Sequence, residues 1–231
     1  MGTIADNLQR VQQRIAAAAE RSGRAAADIT LVAVSKTISV ERIQEAISAG
    51  VKHLGENRVQ EAREKIPQID APVTWHMIGH LQRNKAKYAV RLFDMIQSID
   101  NPELAQEVDK RAAQVNRVMP VLIEVNTSGE ASKFGVAPEQ ALELARQVDS
   151  LPNLQLQGFM TIAVFSEIEQ AVRDCFKRLR EIYETARTQS WERANISVLS
   201  MGMSHDFEWA IEEGATMVRI GTAIFGPRRE T

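Results

Sequence analysis

From Ile4 onward the chain repeats apolar residues at Ile4, Leu8, Val11, Ile15 and Ala18. That spacing lays one stripe along a helix, with Gln9, Arg10, Gln12 and Gln13 mostly facing outward. It predicts an N-terminal helix over about residues 3–22, stopped at Gly23. The pattern then changes. Thr30-Leu31-Val32-Ala33-Val34 is a short, nearly continuous apolar run rich in β-branched residues, as a strand buried on both faces requires. A helix follows, with Ser39 as N-cap and Gly50 just past its end. The same alternation recurs, predicting strands near His53-Leu54, Thr74–Ile78, Asp94–Ser98, Met119–Val125, Leu154–Phe159, Ile196–Leu199 and Met217–Ile220. Helical patterns lie between them. Asn57 and Gln60 have the spacing of a capping-box variant, and Asn101-Pro102 is an N-cap with proline at the first helical position. Pro138 opens a helix carrying Leu142, Ala145 and Val148 on one face, and Ser204 can cap a helix that ends at Gly214.

Eight strand–helix units in 231 residues give about 29 residues per unit. Strands alternating with helices imply parallel strands joined by right-handed crossovers. Eight of them in a chain near the usual barrel length of roughly 250 residues predict a (β/α)8 barrel, with a doubly wound open sheet as the alternative. Nothing reads as a linker, a low-complexity stretch or a charge block, so residues 1–231 are expected to form a single domain.

Charge narrows the function. With 28 basic and 30 acidic residues the net charge is -2, which argues against a nucleic-acid-binding or membrane-surface protein. No apolar run approaches the roughly 20 residues of a membrane helix, and Met1 to Glu20 does not read as a signal peptide. The single cysteine excludes an internal disulfide and suits a reducing compartment, so a cytoplasmic location is expected. His53, His76, His80 and His205 show no metal-ligand spacing, and Cys175 reads as helix core. No Walker A, dinucleotide-binding or paired-carboxylate pattern appears.

In such barrels the chemistry sits on the loops after the C-terminal ends of the strands. Lys36 follows the first strand directly, where partial burial can lower an amine's pKa and make it a nucleophile for carbonyl groups. The structural alternative is a lysine that snorkels to solvent. Ser200-Met201-Gly202-Met203-Ser204 follows the seventh strand and Gly221-Thr222 the eighth. These loops are rich in Gly, Ser and Thr, at the place where barrels commonly bind phosphate, although two tight turns and a helix cap would read the same way. Arg219 interrupts the apolar eighth strand with a permanent charge, and inside a barrel it needs a partner: a ligand acceptor or a carboxylate such as Glu124.

A lysine after the first strand, phosphate loops after the last two and an arginine on the eighth resemble the pyridoxal-phosphate-binding barrels related to alanine racemase. More closely, the chain resembles the small single-domain pyridoxal phosphate (PLP) homeostasis proteins, the YggS/PROSC family. The stretches that carry the resemblance are Leu31 to Thr37, Gly55 to Glu61, Trp75 to Lys85, Ser200 to Asp206 and Val218 to Gly226, in family order. The resemblance implies that Lys36 holds PLP as an internal aldimine and that Arg219 hydrogen-bonds the pyridine nitrogen. It implies that Ser200, Gly202, Gly221 and Thr222 gather the phosphate, that Asn57 approaches the ring, and that His80 and Met160 line the mouth.

Binding PLP does not make a catalyst. Racemisation needs an acid/base group on each face of the cofactor, and two-domain racemases take one from a tyrosine of a second domain in the partner subunit. The chain ends eleven residues after Ile220, which leaves no room for such a domain, and Tyr88 and Tyr183 fall in helical patterns. The resemblance therefore points to a protein of vitamin B6 and amino-acid balance without secure enzymatic activity, and a monomer is expected. The alternatives are a weak PLP-dependent amino-acid racemase, or a protein whose PLP occupancy gates binding to a partner, such as an apo PLP enzyme or a regulatory protein. A basic docking surface for such a partner could form at Arg83 to Lys87 with Arg91, or at Arg228-Arg229, although both read more readily as solvated faces.

Overall fold

The structure is a computed structural model that describes residues 2–227. Eight parallel strands close into a barrel in chain order: β1 (Thr30–Val34), β2 (His53–Glu56), β3 (Thr74–Met77), β4 (Met95–Ile99), β5 (Met119–Glu124), β6 (Leu154–Met160), β7 (Val198–Ser200) and β8 (Met217–Ile220). β8 pairs back onto β1 with Arg219 opposite Val32, which completes the ring. The predicted (β/α)8 barrel is therefore the fold, and the open sheet is excluded.

The helices stand where the 3.6-residue stripes put them. Helix α1 (Ile4–Arg21) starts on a capping box: the Asp6 N–H donates to Thr3 Oγ1 at 3.1 Å and the Thr3 N–H to the Asp6 carboxylate at 2.9 Å. Helix α2 (Val40–Ser48) ends before Gly50, whose φ of +107° is the left-handed conformation that glycine takes without a Cβ clash. Helices α3 (Val59–Lys65), α4 (Ala86–Leu92), α5 (Pro102–Ala113), α6 (Ala141–Asp149) and α7 (Glu169–Arg187) continue the outer layer. Asn101 caps α5 by accepting the Leu104 N–H at 2.8 Å. The last two helices, α8 (Phe207–Glu212) and α9 (Thr222–Phe225), are short, and α1 packs beside both. Asn7 donates to the Ile224 carbonyl at 2.9 Å and Arg14 pairs with Glu208 at 2.7 Å, so α1 covers a part of the barrel that α8 and α9 alone are too short to cover.

Two caps differ from the sequence expectation. The helix after β2 begins at Val59 behind an extended Arg58, so Asn57 and Gln60 do not form a capping box. The backbone of Asn57 instead lies against Gly79, where an added Cβ would stand 2.4 Å from the Asn57 carbonyl oxygen. Likewise α8 begins at Phe207 and not at Ser204; Asp206 steadies its approach by accepting the Met203 N–H at 2.5 Å. Of the two basic segments, Arg83 to Lys87 places Lys87 over the Tyr88 ring, which Arg63 of α3 also covers, and Arg228-Arg229 lie outside the described residues.

Two apolar layers result. One fills the space between sheet and helices, with Leu54, Ile96, Val121, Ile123 and Phe159 among its buried members. The other fills the barrel interior with Val32, Met95, Leu122, Met160 and Met217. The barrel bends at β6, where the pairing with β5 skips one residue so that Val121 faces Leu156 and Leu122 faces Gly158. Gly158 has φ +148°, and a Cβ there would come 1.8 Å from the Val198 carbonyl oxygen. Gly158→Ala must push β6 and β7 apart, and it is expected to destabilise the fold by at least about 3 kcal/mol. Urea unfolding checks this; a loss below about 1 kcal/mol would contradict the close approach.

Candidate functional site

Lys36 leaves β1 on a tight turn built from polar contacts. Thr37, its neighbour, has φ +64°, a region that a β-branched residue rarely occupies. The surroundings hold it there. Ser35 donates its N–H to the Gly55 carbonyl at 2.9 Å and its hydroxyl to Glu56 Oε1 at 2.7 Å. From α3, Lys65 donates to the Ser35 carbonyl at 2.8 Å, to Glu56 at 3.1 Å and to Glu61, and Glu61 accepts the Thr37 N–H. Glu56 is wholly buried; burial pushes its carboxyl above the usual range, and Ser35 and Lys65 oppose that. The residues on both sides of Lys36 are thus fixed, while Lys36 itself is half-buried. With Gly221, Thr222 and Phe225 it lines a cavity of about 20 Å³.

The loops after β7 and β8 meet beside it. The Gly202 carbonyl accepts the Arg219 N–H at 3.0 Å. Gly202 has φ +94° and lies so close to Ala210 that an added Cβ would sit 2.5 Å from that side chain. Ser204 joins the loops rather than capping α8: its hydroxyl oxygen accepts the N–H groups of both Gly221 and Ala223 at 3.3 Å. Thr222 is exposed at the start of α9.

Arg219 lies below the mouth with 3% of its surface exposed. Its guanidinium donates to Ser200 Oγ and to the Thr161 carbonyl, each at 2.7 Å. Burial lowers its pKa to about 10, so the group stays charged at neutral pH. Of the two kinds of partner open to Arg219, the carboxylate pair with Glu124 does not form; Glu124 acts on Arg219 through its field, while a hydroxyl and a carbonyl accept from the guanidinium. Ser200 also differs from expectation. Its hydroxyl turns into the barrel, between Arg219 and Gln97, and not toward the phosphate loops.

Across the barrel from β1, Glu124 ends β5 with Oε2 buried and unpaired among the described residues. Burial first, then the nearby Asp100, raises its carboxyl to about 7 against the opposing pull of Arg219. His80 stacks on Phe134 with ring centres 3.7 Å apart, and its Nδ1 is 3.5 Å from Asp100. Asn57 and His80 share a cleft of about 540 Å³ with Met77, Leu81 and Phe134, while Met160 is buried beneath the mouth. The site residues thus form three groups: Lys36 with Gly221 and Thr222, Asn57 with His80, and Ser200, Arg219 and Met160 below, with Gly202 joined to the last through its carbonyl and the Arg219 N–H. A larger cleft of about 700 Å³ adjoins the Asn57–His80 cleft at Gln82, runs to Lys110, and is lined by surface polar groups. Sequence reasoning missed Gln97, His76, Glu56 and Lys65. The signal for the first two was present, since each interrupts an apolar strand as Arg219 does.

Comparison with known proteins places these features. The family model described as alanine racemase, N-terminal domain, matches residues 4–229. A pyridoxal phosphate homeostasis protein of Aquifex aeolicus is 46% identical over 227 residues, covering 97% of this chain and 98% of its own. One from Escherichia coli K12 is 42% identical over 233 residues, covering 99% and 98%. The structure of PipY from Synechococcus elongatus PCC7942 with PLP bound has a TM-score of 0.84 at 33% identity, over 97% of this chain and 100% of that one. An alanine racemase of Clostridium difficile 630 shares the fold with a TM-score of 0.74 at 17% identity, and this chain spans 58% of it.

Glu124 offers a test of the mouth's electrostatics. Folding raises its pKa from 4.5 to about 7, so the folded protein binds this proton more tightly than the unfolded chain does. Its contribution to stability is fully present below about pH 4.5 and is lost as pH rises through about 7. Relative to Glu124→Gln, the wild type is expected to lose about 2–3 kcal/mol between these limits. Urea unfolding measured across that range checks it, and parallel pH profiles for the two proteins would contradict it.

Proposed function

This chain belongs to the alanine racemase N-terminal-domain family and, within it, to the pyridoxal phosphate homeostasis proteins, and from that premise we propose that it binds PLP at the barrel mouth and serves vitamin B6 and amino-acid balance as a carrier, without turning over a substrate. One observation carries the reading. A lysine amine held between two fixed residues adjoins a turn whose backbone N–H groups converge, above a buried, permanently charged guanidinium.

The residues fit this cofactor. The N–H groups of Gly221 and Ala223 both point at one hydroxyl across 3.3 Å, a weak arrangement that leaves donor capacity for phosphate oxygens. Gly202, Gly221 and Thr222 belong to that cradle, and Ser200 serves it at one remove by holding Arg219. Lys36 is the covalent anchor. Arg219 meets the pyridine nitrogen as a donor, which keeps that nitrogen free of a proton. Asn57, His80 and Met160 shape the mouth. When bound, PLP supplies a carbonyl carbon that reacts with amines and a ring that withdraws electrons.

The absence of turnover is supported by where the tyrosines lie: Tyr88 sits on α4 under Arg63, and Tyr183 is buried in α7. A second reading, a weak amino-acid racemase, is favoured by Glu124, a buried carboxyl near neutral pKa at the end of the strand opposite β1. Interconversion of D- and L-amino acids above the rate of free PLP, and lost in both Lys36→Ala and Glu124→Gln, decides for the racemase. No such turnover, together with transfer of PLP to an apo PLP enzyme, decides for the carrier. The carrier reading includes a cytoplasmic monomer; the single, buried Cys175 accords with a reducing compartment.

Purified protein mixed with PLP is expected to develop an absorption band near about 420 nm that is missing in Lys36→Ala. Borohydride treatment then labels Lys36. A wild-type protein with neither band nor label refutes PLP binding through Lys36.

A further inference from the structure

A line of polar side chains crosses the barrel interior, where such barrels normally hold branched apolar residues. It starts at His53, half-buried at the first residue of β2, and passes to His76 on β3, with His53 Nδ1 3.1 Å from His76 Nε2. From His76 Nδ1 it continues to the Gln97 amide nitrogen on β4 at 3.1 Å. Gln97 Oε1 then accepts the Ser200 hydroxyl on β7 at 2.7 Å, and Ser200 Oγ accepts from Arg219 on β8 at 2.7 Å. His76, Gln97, Ser200 and Arg219 are all buried.

Arg219 dictates the direction of every link. A guanidinium has five donors and no acceptor, so Ser200 must accept from it and has one hydrogen left to give to Gln97 Oε1. That turns the amide nitrogen of Gln97 toward His76. Met217 agrees independently: its sulfur, an acceptor, lies 3.1 Å from the same nitrogen. His76 Nδ1 must therefore accept, its proton must sit on Nε2, and His53 Nδ1 must accept in turn. Each donor points away from Arg219, toward the base of the barrel. Reversing any one link sets two donors or two acceptors face to face in a site that water does not reach.

We propose that Gln97 and His76 are positioning residues for Arg219, forming with Ser200 a one-way hydrogen-bonded column that fixes the guanidinium under the cofactor ring and holds both histidines as neutral Nε2–H tautomers. The column is a property of the protein before it binds anything. Only its effect on the cofactor rests on the proposed binding of PLP at Arg219. Burial lowers the pKa of His76 to about 3, in keeping with a ring that stays neutral.

Two measurements separate the column from the binding reading. Long-range ¹H–¹⁵N NMR of the protein without PLP is expected to give the Nε2–H tautomer for His76 and for His53; an Nδ1–H His76 overturns the proposal. Gln97→Glu replaces the donor to His76 with an acceptor, so His76 is expected to become Nδ1-protonated in that variant. A His76 unchanged by this substitution also overturns it. Gln97→Leu cuts the column without touching the mouth, and PLP titration followed by absorbance is expected to show binding about tenfold weaker. Lys36 is still labelled by borohydride at saturation. If wild type binds PLP and Gln97→Leu binds it equally well with the same spectrum, positioning fails while PLP binding stands. If wild type does not bind PLP, the binding reading fails and the tautomers alone decide the column. Should Gln97→Leu not fold, the wild-type and Gln97→Glu spectra still confirm or overturn the column.

Discussion

A side chain that cannot shed its charge at neutral pH occupies the inside of a closed barrel, and Arg219 owes its place there to acceptors on other strands. Leaving a charge unpaired in that environment costs several kcal/mol or more, so positions that could have been Val or Leu are Ser200 and, behind it, Gln97 and His76. The Thr161 carbonyl, just past β6, completes the set. The apolar cluster of Val32, Met95, Leu122, Met160 and Met217 surrounds this polar line and excludes the water that would otherwise compete for it. The interior is thus shaped around one guanidinium.

The mouth above divides the labour. On the β1–β8 side, two networks hold the segments around Lys36 and the loops after β7 and β8: the Glu56–Lys65–Glu61 cluster braces Ser35 and Thr37, and Ser204 ties the loop after β7 to the turn before α9. Each joins groups from different elements, strand, helix and loop, so Lys36 and the turn before α9 are tied to the barrel and not to a single loop. On the opposite side lie Asp100 with Glu124 and His80, and Glu124 Oε2 and His80 Nδ1 have no hydrogen-bond partner among the described residues. The braced side and the less committed side thus differ in how fully their polar groups are engaged.

Much of this is legible in the chain. The eight strands are marked by β-branched apolar runs, and their boundaries shift by only a residue or two, as at β4, which begins at Met95 rather than Asp94. Lys36, Gly221 and Thr222 stand out by their place just after strands. What the chain does not disclose is partnership. Ser200 reads as a phosphate donor and serves Arg219; Ser204 reads as a helix cap and bridges two loops; Glu124 reads as the counter-ion and is bypassed. A cap is proposed from spacing along one segment, and a pair from charge alone, whereas the actual partners are set by which strands and loops the barrel brings together.

The sequence by itself therefore determined eight alternating strand–helix units and favoured the barrel over an open sheet, since hydrophobic period and turn residues are local properties. It also determined which residues stand at the C-terminal strand ends, because parallel strands put every such end on one face. Only the tertiary structure decided which polar groups satisfy one another. Strand register and barrel closure set those distances, and they bring Gln97 to Ser200 across 103 residues of chain to meet at 2.7 Å.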